Sequence, residues 1–100
     1  MNDYSPLFMA CKGGNENLVK YLVELGADVN KENKFNETPL YGACEEEEGN
    51  EKIVKYLVEH GINIKIVNMN GYSPLFMTCK SGNKSLVKYL VELGADINDK

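Results

Sequence analysis

The sequence predicts an all-α repeat solenoid, built from antiparallel pairs of short helices with hairpin-like fingers between the pairs. Three observations carry that reading. One stretch of sequence recurs three times at a spacing of 33 to 35 residues. Each copy holds two short helical patterns split by a Gly/Asn turn, and the second pattern gathers its apolar residues on one face. Overlaying residues 1–30 on residues 69–98 gives 24 identities in 30 positions without a gap. A further copy lies between them, where Thr38-Pro39-Leu40 matches Ser5-Pro6-Leu7 and Ile53-Val54-Lys55-Tyr56-Leu57-Val58-Glu59 matches Leu18 to Glu24.

Each copy opens with Ser5, Thr38 or Ser73, a hydroxyl placed to accept from an open helix amide. Pro6, Pro39 and Pro74 follow at the first helical position, where a missing N–H costs nothing. The first helix runs about two turns, until Gly13-Gly14-Asn15, Gly49-Asn50 or Ser81-Gly82-Asn83 stops it. In the second helix Leu18, Val19, Leu22 and Val23 form an apolar stripe that requires a neighbour. Glu16 with Lys20 and Glu51 with Lys55 add i, i+4 pairs on its outer side, whereas Lys84 and Lys88 repel. Gly26, Gly61 and Gly94 then stand where a left-handed C-terminal cap is wanted. Residues 30–37 and 65–72 have no helical period, and Asn70-Gly71 suits a tight turn, so these stretches read as extended, hairpin-like fingers.

Serine or threonine followed by Pro-Leu, a small-residue helix, Gly-Asn, Leu-Val-Lys-Tyr-Leu-Val-Glu and Gly-Ala-Asp-Val-Asn together resemble the ankyrin repeat. The resemblance covers nearly the whole chain as one domain of residues 1–100. Repeat 1 is about 1–35, repeat 2 about 36–70 with a two-residue insertion near 45–48, and repeat 3 about 71–100. It implies fingers projecting to one side, first helices lining a concave face, and a rigid surface that binds a partner protein. Two departures stand out: Phe8, Tyr41 and Phe76 replace the family's His after Pro-Leu, removing the imidazole that ties one finger to its neighbour, and a Cys follows in every copy.

Composition excludes several other classes. The 100 residues are 43% hydrophobic and 26% charged, as expected of a folded domain. The longest uncharged stretches fall far short of the roughly 20 apolar residues that span a bilayer. The formal charge of −4 and the lack of any Arg argue against nucleic-acid binding. Without a secretion signal at the start, the expected location is the cytoplasm, with the nucleus as the second choice. Cys11, Cys44 and Cys79 are one repeated position, and stacked helices about 8–10 Å apart hold their sulfurs too far apart for one metal. They read as small buried hydrophobes. His60, the only His, falls in the last turn of a second helix, where it suits the negative helix end. No nucleophile motif and no phosphate-cradling loop is present, so neither an enzyme nor a cofactor is expected.

Candidate contact residues lie where the copies differ. Lys34, Phe35 and Glu37 mark one finger and Met69, Asn70 and Tyr72 the next, with Phe35, Met69 and Tyr72 of the kind that anchors interfaces. Packing between fingers is the alternative for Tyr72. Glu45, Glu46, Glu47 and Glu48 form the one break in the repeat, opposite Lys80 and Ser81 of the third copy. The net −4 of residues 36–70 equals that of the whole chain. Four carboxylates at a helix C-terminus oppose its dipole, so they read as an acidic patch for a basic partner segment, with a solvated loop as the plainer alternative. Tyr21, Tyr56 and Tyr89 share a framework position and are expected to pack between repeats. A protein-binding module is the first reading, as a monomer or within a longer array; a structural spacer in such an array is the second.

Overall fold

The computed structural model describes residues 4–45 and 50–98. These form six α-helices in three pairs: α1 (Pro6–Lys12) with α2 (Glu16–Glu24), α3 (Pro39–Cys44) with α4 (Glu51–Glu59), and α5 (Pro74–Ser81) with α6 (Lys84–Glu92). First helices pack on one another in the order α1, α3, α5, and α2 packs on α4 behind them. No strand occurs among the described residues.

Local signals set the helix ends. Ser5 and Ser73 Oγ accept from the Phe8 and Phe76 amides at 3.1 Å, and Asn15 and Asn83 Oδ1 accept from Leu18 and Leu86 at 3.0 Å. Thr38 holds the same position and backbone shape, but its hydroxyl does not cap α3 and is buried without a partner, which nothing in the structure explains. Asn50 likewise leaves the amides of α4 uncapped and instead donates from Nδ2 to Ala43 O at 3.0 Å, clamping α4 to α3. Gly26, Gly61 and Gly94 follow the second helices at φ of 102°, 90° and 103°, values that a side chain would strain. The fingers are short and hairpin-like, without strand pairing among the described residues. Each is a tight loop closed by two backbone bonds, from Asn33 N to Glu37 O and Asn36 N to Asn33 O in one, and from Asn68 N to Tyr72 O and Gly71 N to Asn68 O in the other.

The core is shared between pairs. Leu7, Cys11, Val19, Leu40, Val54 and Leu57 are at most 1% exposed, and α3 is buried along its whole length because it is covered on both sides. The joint between α1 and α3 is the closer of the two. Gly42 permits it, since a Cβ there would stand 2.8 Å from Phe8 O and 3.2 Å from Lys12 N. The expectation for the cysteines holds for Cys11 and Cys44 but not for Cys79, which is exposed because no described helix stacks beyond α5. Tyr21 is exposed for the matching reason at the other end, while Tyr56 and Tyr89 are half-buried between pairs.

Helix propensity alone would make Gly42→Ala stabilising by about 1 kcal/mol. The backbone contact reverses the sign. A loss of about 1–3 kcal/mol is expected from overpacking, measured as a lower urea midpoint.

Candidate functional site

The two fingers form one surface. Asn33 Oδ1 accepts from Phe35 N at 2.8 Å and Glu37 N at 3.0 Å, and Asn68 Oδ1 does the same for Asn70 N and Tyr72 N at 2.9 and 3.0 Å. One asparagine therefore holds each loop from inside. The tip takes positive φ at Asn36 (61°) and Gly71 (80°), conformations that asparagine and glycine tolerate. Met69 N donates to Phe35 O at 2.8 Å, and Asn68 Nδ2 donates to Glu37 Oε2 at 3.0 Å, so the loops are bound edge to edge.

Anchoring from below comes from α3. The Tyr41 hydroxyl, buried with the rest of its ring, donates to the carbonyls of Ile66 and, at 2.7 Å, Tyr72. A single proton serves two oxygens at the base of the second finger. Burial, reinforced by the nearby Glu37 carboxylate and Cys44, pushes the phenol well above its usual range, so it remains a donor at any ordinary pH. Phe8 and Phe76, at the same repeat position, lack this hydroxyl and stack on Tyr4 and Tyr72, with centroids 4.7 and 4.4 Å apart.

This geometry sorts the candidate residues. Phe35 and Met69 are 40% and 68% exposed and sit side by side on the joined tips. Lys34 Nζ lies 5.4 Å from the centre of the Phe35 ring, and Asn70 is exposed at the neighbouring tip. Glu37 and Tyr72 face inward, Glu37 holding Asn68 and Tyr72 stacked on Phe76. Away from the fingers, Glu45 is half-buried with its Oε1 3.6 Å from Lys12 Nζ. It lines an open depression on the first-helix side together with Met77, Lys80 and Ser81. The Ser81 hydroxyl is engaged with Cys44 O at 3.1 Å and Thr78 O at 3.0 Å, pinning α5 to α3. Glu46, Glu47 and Glu48 lie outside the described residues. Sequence reading did not single out Asn33 or Asn68, whose recurrence 35 positions apart was the available signal, and it marked Tyr41 only as a departure from the family's histidine.

The sequence matches the family profile for ankyrin repeats (three copies) over residues 7–100. The chain belongs to the ankyrin repeat family. Among solved structures, the crystal structure of the human ASB11 ankyrin repeat domain is similar at a TM-score of 0.88 and 32% identity, covering 97% of this chain. The chain spans 43% of the length of that domain. No curated protein sequence matches. Ankyrin repeats are in general protein-interaction modules. Against the family pattern, Tyr41 supplies from a phenol a bond to the finger, where the missing histidine had put such a tie in doubt.

Two outcomes follow from these contacts. Tyr41→Phe leaves the Ile66 and Tyr72 carbonyls without that donor and is expected to cost about 1–2 kcal/mol of stability in urea unfolding. The buried thiols give a pH dependence. Desolvation, with the neighbouring Cys44 adding to it, pushes Cys11 up to about 12; desolvation does the same to Cys44, partly offset by a Thr78 hydrogen bond. In the unfolded chain both release their protons near 9, so between about 9 and about 12 the folded state binds more protons. Stability therefore falls as pH rises through that window, by up to about 1.4 kcal/mol per pH unit per thiol. Urea unfolding at about pH 8 and about pH 10 measures the slope, and Cys44→Ala is expected to flatten it.

Proposed function

We propose that the chain is a protein-binding module that holds its partner across the joined finger tips and the adjoining first-helix face. One observation supports this most: Phe35 and Met69 are exposed apolar residues whose backbones are joined by a hydrogen bond between the fingers. Large apolar groups carried on backbones joined in this way are well placed to serve as anchors. The acidic run of Glu45, Glu46, Glu47 and Glu48, with a basic segment as its counterpart in the partner, is the finer part of the reading. Glu45 already pairs with Lys12, which leaves any such contact mainly to the three carboxylates after it. A cytoplasmic setting is part of the same proposal.

A spacer role within a longer array is the second reading, favoured by the apolar side chains exposed at both ends of the stack. Leu18 is 41% and Tyr21 58% exposed at one end, and Val91 is 37% and Ile97 70% exposed at the other.

The deciding comparison is capture of proteins from source-cell lysate by the native chain and by a Phe35→Ser, Met69→Ser double variant. Both side chains are exposed, so helicity and melting should be unchanged. A protein held by the native chain and weakened at least about tenfold by the double variant is the expected result. Equal capture by both would favour the spacer. Changing Glu46, Glu47 and Glu48 to Gln is expected to reduce the salt sensitivity of that binding.

A further inference from the structure

The second finger carries a reactive pair of residues that the first lacks. Asn70 is the one asparagine in the chain that is followed by glycine. In such a pair the backbone N of the glycine can attack the side-chain carbonyl carbon of the asparagine, because the attacking residue has no side chain to shield the approach. The equivalent pair in the first finger is Phe35-Asn36, and glutamate follows that asparagine. Asn70 is exposed, and within the described residues only its backbone N–H is engaged.

Closure of the finger opposes that attack. Gly71 N donates to Asn68 O at 2.9 Å, so the nucleophile is occupied by a hydrogen bond of its own. The loop around it is clasped at several points. Asn68 Oδ1 accepts from Asn70 N and Tyr72 N at 2.9 and 3.0 Å, and Asn68 N donates to Tyr72 O at 2.9 Å. From α3, the Tyr41 hydroxyl reaches Ile66 O and Tyr72 O on either side of the tip. Reaction therefore requires the finger to open, and its rate reports how often the finger does so.

We propose that Asn70 is a site of intramolecular deamidation, restrained by closure of the second finger and released when that finger opens. Gly71 N gives up its proton to solvent and bonds to Asn70 Cγ, ammonia leaves with Nδ2, and a cyclic imide remains. Water then opens the ring at one of its two carbonyls. Opening at Cγ leaves aspartate; opening at the backbone carbonyl leaves isoaspartate, whose main chain runs through Cβ and Cγ. The balance is one water consumed and one ammonia released, with no change of oxidation state. Either product adds a negative charge beside Met69 on the exposed tip. Isoaspartate also lengthens the chain between Asn70 Cα and Gly71 N, which moves Gly71 N out of register with Asn68 O. The bonds that restrain the reaction then no longer re-form as before, so a finger that has opened and reacted stays altered.

The test incubates the full chain in mildly alkaline buffer and follows the tryptic peptide of residues 66–80 by mass spectrometry, with fragment ions separating Asn68 from Asn70. Conversion of amide to carboxyl is expected at Asn70 and not at Asn68. It should run at least about thirtyfold more slowly in the folded chain than in the same chain unfolded in guanidinium chloride. Tyr41→Phe removes the tie from α3 and is expected to speed the reaction of the folded chain about fivefold or more. Val19→Ala leaves a cavity at a fully buried position of α2 and lowers global stability, but it touches none of the finger bonds and is expected to leave the rate unchanged. Asn70→Gln, with its amide one carbon further out, should abolish the conversion without moving the urea midpoint. Equal rates in the folded and unfolded chains would overturn the proposal, since closure would then restrain nothing. So would equal acceleration by Tyr41→Phe and Val19→Ala, which would place the release in global unfolding, or an unfolded chain that keeps its Asn70 amide.

Discussion

Everything in this molecule depends on the contact between successive helix pairs. A pair such as α1 and α2 has helices of 7 and 9 residues, too short to be stable alone in water, and its apolar stripe has no interior of its own to enter. Burial becomes possible only when the next pair lies against it. The middle pair, covered on both sides, therefore holds the most completely buried residues, with Leu40, Tyr41, Ala43, Cys44, Val54 and Leu57 all at 0% exposure. The outer pairs each keep one face in water, as expected of a quasi-one-dimensional stack in which stability is the sum of the units and their joints.

The same contact separates the surface that can bind from the frame that cannot change. Tyr41 illustrates the link: its ring fills the core of the middle pair, and its hydroxyl reaches the base of the second finger. From there the chain of contacts runs through Asn68 to Glu37 and through Met69 to Phe35. Rigidity at the tips is thus borrowed from burial two layers below. The backbones that carry Phe35 and Met69 owe their placement in part to the buried Tyr41 and Asn68.

Much of this was legible in the sequence because it is written in local chemistry. Proline after serine or threonine marks where α1, α3 and α5 begin, and glycine marks where the second helices end. What the sequence concealed depends on neighbours. Cys11 and Cys79 have the same sequence surroundings, yet one is buried and the other exposed, since only one has a further helix pair stacked on it. Thr38 looks like Ser5 and Ser73 but does not cap, and the structure gives no cause for the difference. Glu37 and Tyr72 read as candidate contact residues, with packing the alternative for Tyr72; in the structure Glu37 accepts from Asn68 across the fingers and Tyr72 stacks on Phe76 of α5. In the other direction, a tyrosine in place of a histidine looked like a lost tie, because no local pattern reveals that a phenol can reach carbonyls 25 and 31 positions away.

Residue-resolved native-state hydrogen exchange tests the central claim, that the joints and not the individual helices hold this fold, most directly. The account predicts the slowest exchange in α3 and α4, whose amides open only when both joints are lost, with α2 and α6 exchanging faster through loss of an outer pair. Equal protection across all six helices, or greater protection in an outer pair than in the middle one, would contradict it.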